Sequence, residues 1–207
     1  MLTHVHYRSQ KFIIDLSKPL DISMPMEASI NNVNAWYLKE PIIKPVVIDN
    51  QIYTVAAGAS INFNNIKFNP HAHGTHTECV GHITKEKYSI NKCLKQFFFL
   101  AEVITVAPEN YKQDFIISKK QLQFALGNKK REALIVRTIP NTKDKLSKQY
   151  SNTNWPYFDR EAMTYLVRKG IKHLLIDLPS IDKENDCGEL VGHHVFWNTS
   201  GVLRLDA

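Results

Sequence analysis

The chain has 207 residues, long enough for one domain with a substantial core. Its 43% apolar and 22% charged residues exclude a disordered chain, and the lysines behind the net charge of +6 are scattered, with Lys129, Lys130 and Arg131 the densest cluster. That spread reads as a solvated surface and not as a nucleic-acid footprint, while the lack of any long apolar run excludes a membrane span, so a cytoplasmic domain over residues 1–207 is expected.

In chain order, "KFIIDLS" reads as a strand that brings Asp15 and Ser17 to its end. From Gln51 to His76 apolar and polar residues alternate through Ile61, Phe63, Ile66 and Phe68, which predicts half-buried strands with turns at Gly58 and at Asn64-Asn65. A histidine-rich segment then begins at Asn69-Pro70. "FFFLAEVITVAP" predicts a buried strand closed by Pro108. "ISKKQLQFALGN" predicts a short helix capped by Ser118 and stopped by Gly127, and "EALIVRT" another strand. "DREAMTYLVRKGI" predicts a helix with Asp159 as N-cap and Gly170 as C-cap, followed by the apolar strand of "IKHLLIDLPSID". Alternating strands first, then strand, helix and strand, predict an α/β domain: a mixed, curved β-sheet with flanking helices.

The chemistry concentrates in "NPHAHGTHTECVGHITKE". Here His71, His73, His76 and His82, four of the nine histidines, surround Glu78 and Cys79. Imidazole nitrogen with carboxylate oxygen is the donor set of hydrolytic divalent-metal sites. His76 and Glu78 are two apart and point the same way on an extended segment, and a turn at Gly81 would carry His82 into the same space. The bland alternative is a group of solvated histidines. A serine or cysteine hydrolase lacks support, because no G-x-S-x-G elbow is present and nothing aims Cys79 at a base. The three cysteines, odd in number and without C-x-x-C spacing, suit reduced thiols. A second polar cluster follows the last apolar strand and supplies Asp177, Ser180, Asp182, Glu189, His193 and His194. Two clusters suggest a binuclear site, or one metal with hydrogen-bonded supporting groups.

The two clusters resemble those of the putative cyclase family of metal-dependent hydrolases, which includes kynurenine formamidase and isatin hydrolase. Its pattern H-x-G-T-H-x-D-x-P-x-H is matched at Gly74, Thr75, His76 and His82. The opening "DLS", the "RT" of Arg137-Thr138, "GIKHLLIDLPSID" and the late "GHH" extend the resemblance over nearly the whole chain. The resemblance implies a swivelling β/β/α-type fold and hydrolysis of a small-molecule amide such as N-formylkynurenine. It implies one or two divalent metals per chain, zinc or manganese, and a homo-oligomer, with neither nucleic acid nor membrane as partner. Residue by residue it makes His76 a metal ligand, Glu78 the counterpart of a bridging aspartate, His82 the general base and acid, and His193 a further ligand with His194 as fallback. The first histidine of the pattern falls on Ala72, so His71, or else His73, takes its role. Trp36 is placed as an aromatic wall for a flat substrate, with apolar packing as the alternative.

The chain departs from the pattern at Glu78, one methylene longer than aspartate, and at Val80, where the pattern has proline. It also ends at "GVLRLDA" where relatives continue into a further ligand-bearing strand, which leaves Asp206 or Glu189 as stand-ins. These departures carry the competing expectation, a non-catalytic metal-binding remnant of the family.

Overall fold

The computed structural model describes residues 1–207. Strands β1 (Leu2–Tyr7) and β2 (Gln10–Asp15) form an antiparallel hairpin that turns at Arg8, and Asp15 closes its end by accepting hydrogen bonds from the main chain and hydroxyl of Ser17. Strand β3 (Ile42–Pro45) pairs with the later β6 (Asn64–Lys67), and between them β4 (Val47–Ile48) pairs with β5 (Gln51–Ile52). Asn64 and Asn65, expected as a turn, lie inside β6 and pair with Pro45 and Lys44. Cross-strand pairing overrides their turn preference. Gly58 does make a turn, at φ 87°, ending a single 3-10 turn at Val55–Ala57 where the alternation suggested strand.

After two one-turn helices, α1 (Pro70–His73) and α2 (Ile90–Cys93), the chain builds its main layer. Strands β7 (Ala101–Val106), β10 (Ala133–Thr138) and β12 (His173–Ile176) are parallel in the order β12-β10-β7. The strand predicted around "FFFLAEVITVAP" is thus shorter than its apolar run, and Phe97 and Phe98 are exposed. A hairpin of β8 (Glu109–Tyr111) and β9 (Asp114–Ile117) is joined by β11 (Tyr157–Phe158).

Helix α3 (Lys119–Leu126) starts at Ser118 with a reciprocal capping box to Gln121 and stops at Gly127. Helix α4 (Arg160–Lys169) is capped by the Asp159 carboxylate on the Ala162 amide and by left-handed Gly170, both as expected. Leu122 and Leu126 of α3, with Ala162, Met163 and Leu166 of α4, pack on Ile104, Val106, Leu134 and Val136 of the sheet. The last helix, α5 (Val191–Trp197), adds Phe196 and Trp197 to that core. The result is an α/β architecture with parallel and antiparallel strands and helices on one side of the parallel layer. No helix is long and apolar enough to cross a membrane.

Candidate metal centre

The histidine-rich segment is shaped from both ends. Asn69 caps α1, its side chain accepting from the His71 amide, and Pro70 occupies the first helical position. This single turn aims His71 and His73 in different directions. Buried His73 is tied to the main chain on both ring nitrogens, accepting from the Asn69 amide at 2.8 Å and donating to the Lys39 carbonyl at 2.9 Å. Asn32, also buried, donates to the His73 carbonyl at 2.9 Å. His73 therefore fastens the loop, and His71 faces Glu78 with Nδ1 2.6 Å from Oε1.

Beyond Gly74 the backbone runs extended and carries His76 and Glu78 to one side, with His76 Nε2 3.1 Å from Glu78 Oε1. A 3-10 turn at Val80–His82 then folds the chain back. Val80, in the place of the pattern's proline, is fully buried in the main core and anchors this turn. Gly81 lies so close to Tyr88 that a Cβ would run into its carbonyl oxygen. The turn delivers His82 Nε2 to 3.7 Å from Glu78 Oε1, its ring stacked on His71 at 4.5 Å between centroids.

From the other half of the chain, α5 contributes His193, whose Nε2 lies 3.5 Å from Glu78 Oε2. Asp182 sets this position. Its buried carboxylate accepts from the Gly192 amide at 2.5 Å, the His193 amide at 3.1 Å and His193 Nδ1 at 2.5 Å. It thus satisfies amides that the first turn of any helix leaves without partners, and orients the imidazole as well. Trp155 in turn donates to the Asp182 carbonyl at 3.0 Å. Neighbouring His194 points outward to the Thr199 hydroxyl, 2.5 Å away.

Other candidates sit elsewhere. Asp177 accepts from the Thr138 amide and hydroxyl and pairs with Lys145 at 2.7 Å. The Ser180 hydroxyl accepts from the Asp182 amide at 3.1 Å. Asp206 pairs with Lys172 at 2.7 Å, and Glu189 is exposed on a groove with Arg160, Arg168 and His194, so neither stands in as a ligand on Glu78. Trp36 packs edge-on against Trp155 at 5.0 Å. The supporting role of Asp182 is the functional contribution that sequence reasoning did not assign. Its signals were its place in the polar cluster after the last apolar strand and as the last residue of "GIKHLLIDLPSID", neither of which gave it a role of its own.

The hydrogen bonding tests whether these residues suit a cation. A carbonyl can only accept, so His76 Nδ1 donates to Gly74 O at 3.0 Å, and Nε2 turns its lone pair toward Glu78. His193 Nδ1 likewise donates to Asp182, which leaves its Nε2 lone pair facing the other oxygen of the same carboxylate. Lone pairs pointing at a carboxylate repel it unless a positive ion lies among them, whether proton or metal. The titration behaviour agrees. Burial works against a charged His193, but hydrogen bonds to Asp182 and Glu78 outweigh it and raise its pKa to about 9. His76 is raised chiefly by its hydrogen bond to Glu78. Burial pushes Glu78 up, yet its bonds to His193 and His76 and the charge on His82 hold it well below the usual carboxylate range. His82 moves the other way: burial lowers it, and the nearby histidines add to this against the pull of Glu78. His71, Glu78 and His82 place one donor atom each within 4.8 Å of one another, a spread that one divalent ion can gather.

The sequence model of the Cyclase family, described as putative cyclase, matches residues 14–183. The chain belongs to the Cyclase family. The match reaches from the β2 strand to just past Asp182 and so takes in the whole histidine segment. Among solved structures, a predicted metal-dependent hydrolase from Bacillus stearothermophilus is similar to this Cyclase-family chain with a TM-score of 0.55 at 14% identity. The alignment covers 88% of this chain and 78% of that one, a likeness of fold. No curated protein sequence matches the chain.

Proposed function

We propose that the chain is a metal-dependent hydrolase of a C–N bond in a small amide or formamide, resembling arylformamidase, which converts N-formylkynurenine to kynurenine and formate. The observation that carries the reading is the convergence of His71, His76, His82 and His193 on the single carboxylate of Glu78. Membership of the Cyclase family and the metal-dependent hydrolase named for the structural neighbour support it.

In this reading His71, His76, Glu78 and His193 hold one or two divalent ions, zinc or manganese suiting the imidazole and carboxylate donors alike. When bound, such an ion polarises a carbonyl and makes water more acidic. Asp182 keeps the His193 Nδ1 proton in place so that Nε2 stays free to ligate. His82 has a different task. Its lowered pKa leaves the imidazole neutral near pH 7, so it can take a proton from the attacking water and give it to the departing nitrogen. The second carboxylate oxygen of Glu78 lets it reach His193 on one side while the first faces the other three histidines. Trp36, on the loop before β3, is the aromatic surface proposed for a flat substrate.

The test is hydrolysis of N-formylkynurenine, and of simpler aryl formamides, by purified protein before and after chelation. Turnover that disappears on chelation and returns with zinc or manganese is expected. Turnover indifferent to chelator, or none toward any amide with metal bound, would remove the reading.

A further inference from the structure

The densest basic run of the sequence, Lys129 to Arg131, leads into β10, and the fold gathers further cations around it from distant parts of the chain. A groove of about 380 Å³ opens there, at the edge of the parallel layer where β10 begins. It is lined by Lys130, Arg131 and Glu132, by Arg168 and Lys169 from the last turn of α4, and by Arg8 from the left-handed turn at the tip of the β1–β2 hairpin. Five cationic side chains thus meet one acidic one. The lining carries a net charge of +4 in a chain whose total is +6.

Partners within the molecule account for only part of that charge. Glu102 serves two bases at once, with Lys129 Nζ 2.6 Å from Oε1 and Arg131 Nε 3.3 Å from Oε2, and this buried Nε still lacks a hydrogen bond. The Lys169 ammonium is occupied by the carbonyls of Gly127 and Lys129, at 2.7 and 3.4 Å, as suits a cation beside a helix C-terminus. Arg8 lies over the ring of Tyr7 at 5.4 Å, and neither it nor Lys130 nor Arg168 has a carboxylate partner. Like charges gathered in one concavity repel each other and raise its affinity for anions. No apolar residue lines the groove, so the carbon body of an organic acid or a stacked base finds nothing to lie against. A compact anion with its charge concentrated on oxygens does fit, since arginine forks match phosphate oxygens in pairs and lysine adds a point charge.

We propose that this groove is a second binding site, sharing no residue with the Glu78 cluster, and that it takes a diphosphate, free or as part of a phosphorylated small molecule, on Arg8, Lys130 and Arg168. The three contacts come from three separate elements, which is why the run at Lys129 to Arg131 alone gives no sign of a site. Arg8 tips a hairpin in which no residue is buried, so the same anion ties that hairpin to the end of α4.

Calorimetric titration of the purified full chain with sodium pyrophosphate tests this. Saturable binding that weakens as sodium chloride is added is expected. Arg168→Gln and Lys130→Gln are each expected to weaken it about tenfold, as loss of a charged hydrogen bond does. Glu132→Gln removes the one acid of the lining and is expected to tighten binding about threefold, a gain that a misfolded variant would not show. Lys67→Gln, on exposed β6, is expected to change nothing. Glu78→Gln is expected to bind pyrophosphate as wild type does, which separates the groove from the histidine cluster. ADP shares the diphosphate: affinity equal to that of pyrophosphate upholds a site that reads phosphate alone, and markedly tighter ADP upholds the diphosphate site with a nucleotide as its source. No saturable binding of pyrophosphate overturns the proposal, as does binding indifferent to both Arg168→Gln and Lys130→Gln, or binding lost in Glu78→Gln.

Discussion

Asp182→Asn is the substitution whose consequences the structure defines most closely. The shape is kept, but one carboxylate oxygen becomes an NH₂ group in a buried place where both oxygens accept. Those oxygens receive the Gly192 amide, the His193 amide and His193 Nδ1. Whichever way the new amide turns, its NH₂ meets an N–H. If it faces His193, the ring is driven to the tautomer with its proton on Nε2, the atom that faces Glu78 at 3.5 Å. A hydrogen bond to a charged group contributes about 1.5–3 kcal/mol, and one fewer of them should lower stability by that order. Metal affinity should fall about 10- to 100-fold, as when other groups supporting metal-bound histidines are removed. Competition with a chromophoric chelator reads the affinity, and urea unfolding of metal-free protein reads the stability. The His193 pKa, about 9 in wild type, should drop in the variant when followed by NMR, since Asp182 is the strongest of the groups raising it. Wild-type metal affinity together with an unchanged His193 titration would refute the reasoning.

His82→Ala should keep its metal, measured by elemental analysis, while amide turnover falls by roughly two to four orders of magnitude; loss of metal instead would make His82 a ligand. Gly81→Ala pushes the 3-10 turn off the Tyr88 carbonyl, and thermal unfolding should show a lower midpoint, on the order of 2 kcal/mol less stable, as overpacking does. Metal binding should release protons, because ions must displace those that His76 and His193 hold at raised pKa values; calorimetry in buffers of different ionisation enthalpy would show the release near pH 7 shrinking as pH passes about 9. Asp114 is lowered first by Lys183, 2.8 Å away, and then by Asn154. A depressed carboxyl contributes stability above its unfolded pKa and loses it as pH falls through the folded value, so the gap between wild type and Asp114→Asn should be full at pH 7 and vanish in acid, as urea unfolding across pH would show.

Where local chemistry determined the outcome, the sequence was legible. Ser118 with Gln121, and Asp159 with Gly170, set the limits of α3 and α4 through bonds made within a few residues. The parallel strands follow from apolar runs of suitable length. Elsewhere long-range pairing decided. Asn64 and Asn65 join a strand because Lys44 and Pro45 lie opposite, and Phe97 and Phe98 are apolar yet unburied because the packed layer begins only at Ala101. In the site, spacing brought His76, Glu78 and His82 into one group, since two residues of extended chain and one tight turn are local facts. His71 against His73 depended on which ring found the Lys39 carbonyl. His193 against His194 was equally out of reach, because adjacent helical residues point about 100° apart and only packing shows which points inward. Asp182 was named as a polar neighbour, but its bonds to the first turn of α5 exist only once that helix is placed.

The central claim is that Glu78 and the histidines around it form a divalent-metal site. Its most direct measurement is the metal content of the purified full chain beside that of Glu78→Gln, after identical dialysis against zinc or manganese and then metal-free buffer. One or two ions per wild-type chain and markedly fewer in the variant are predicted. No metal in the wild type, or equal metal in both, would contradict the account.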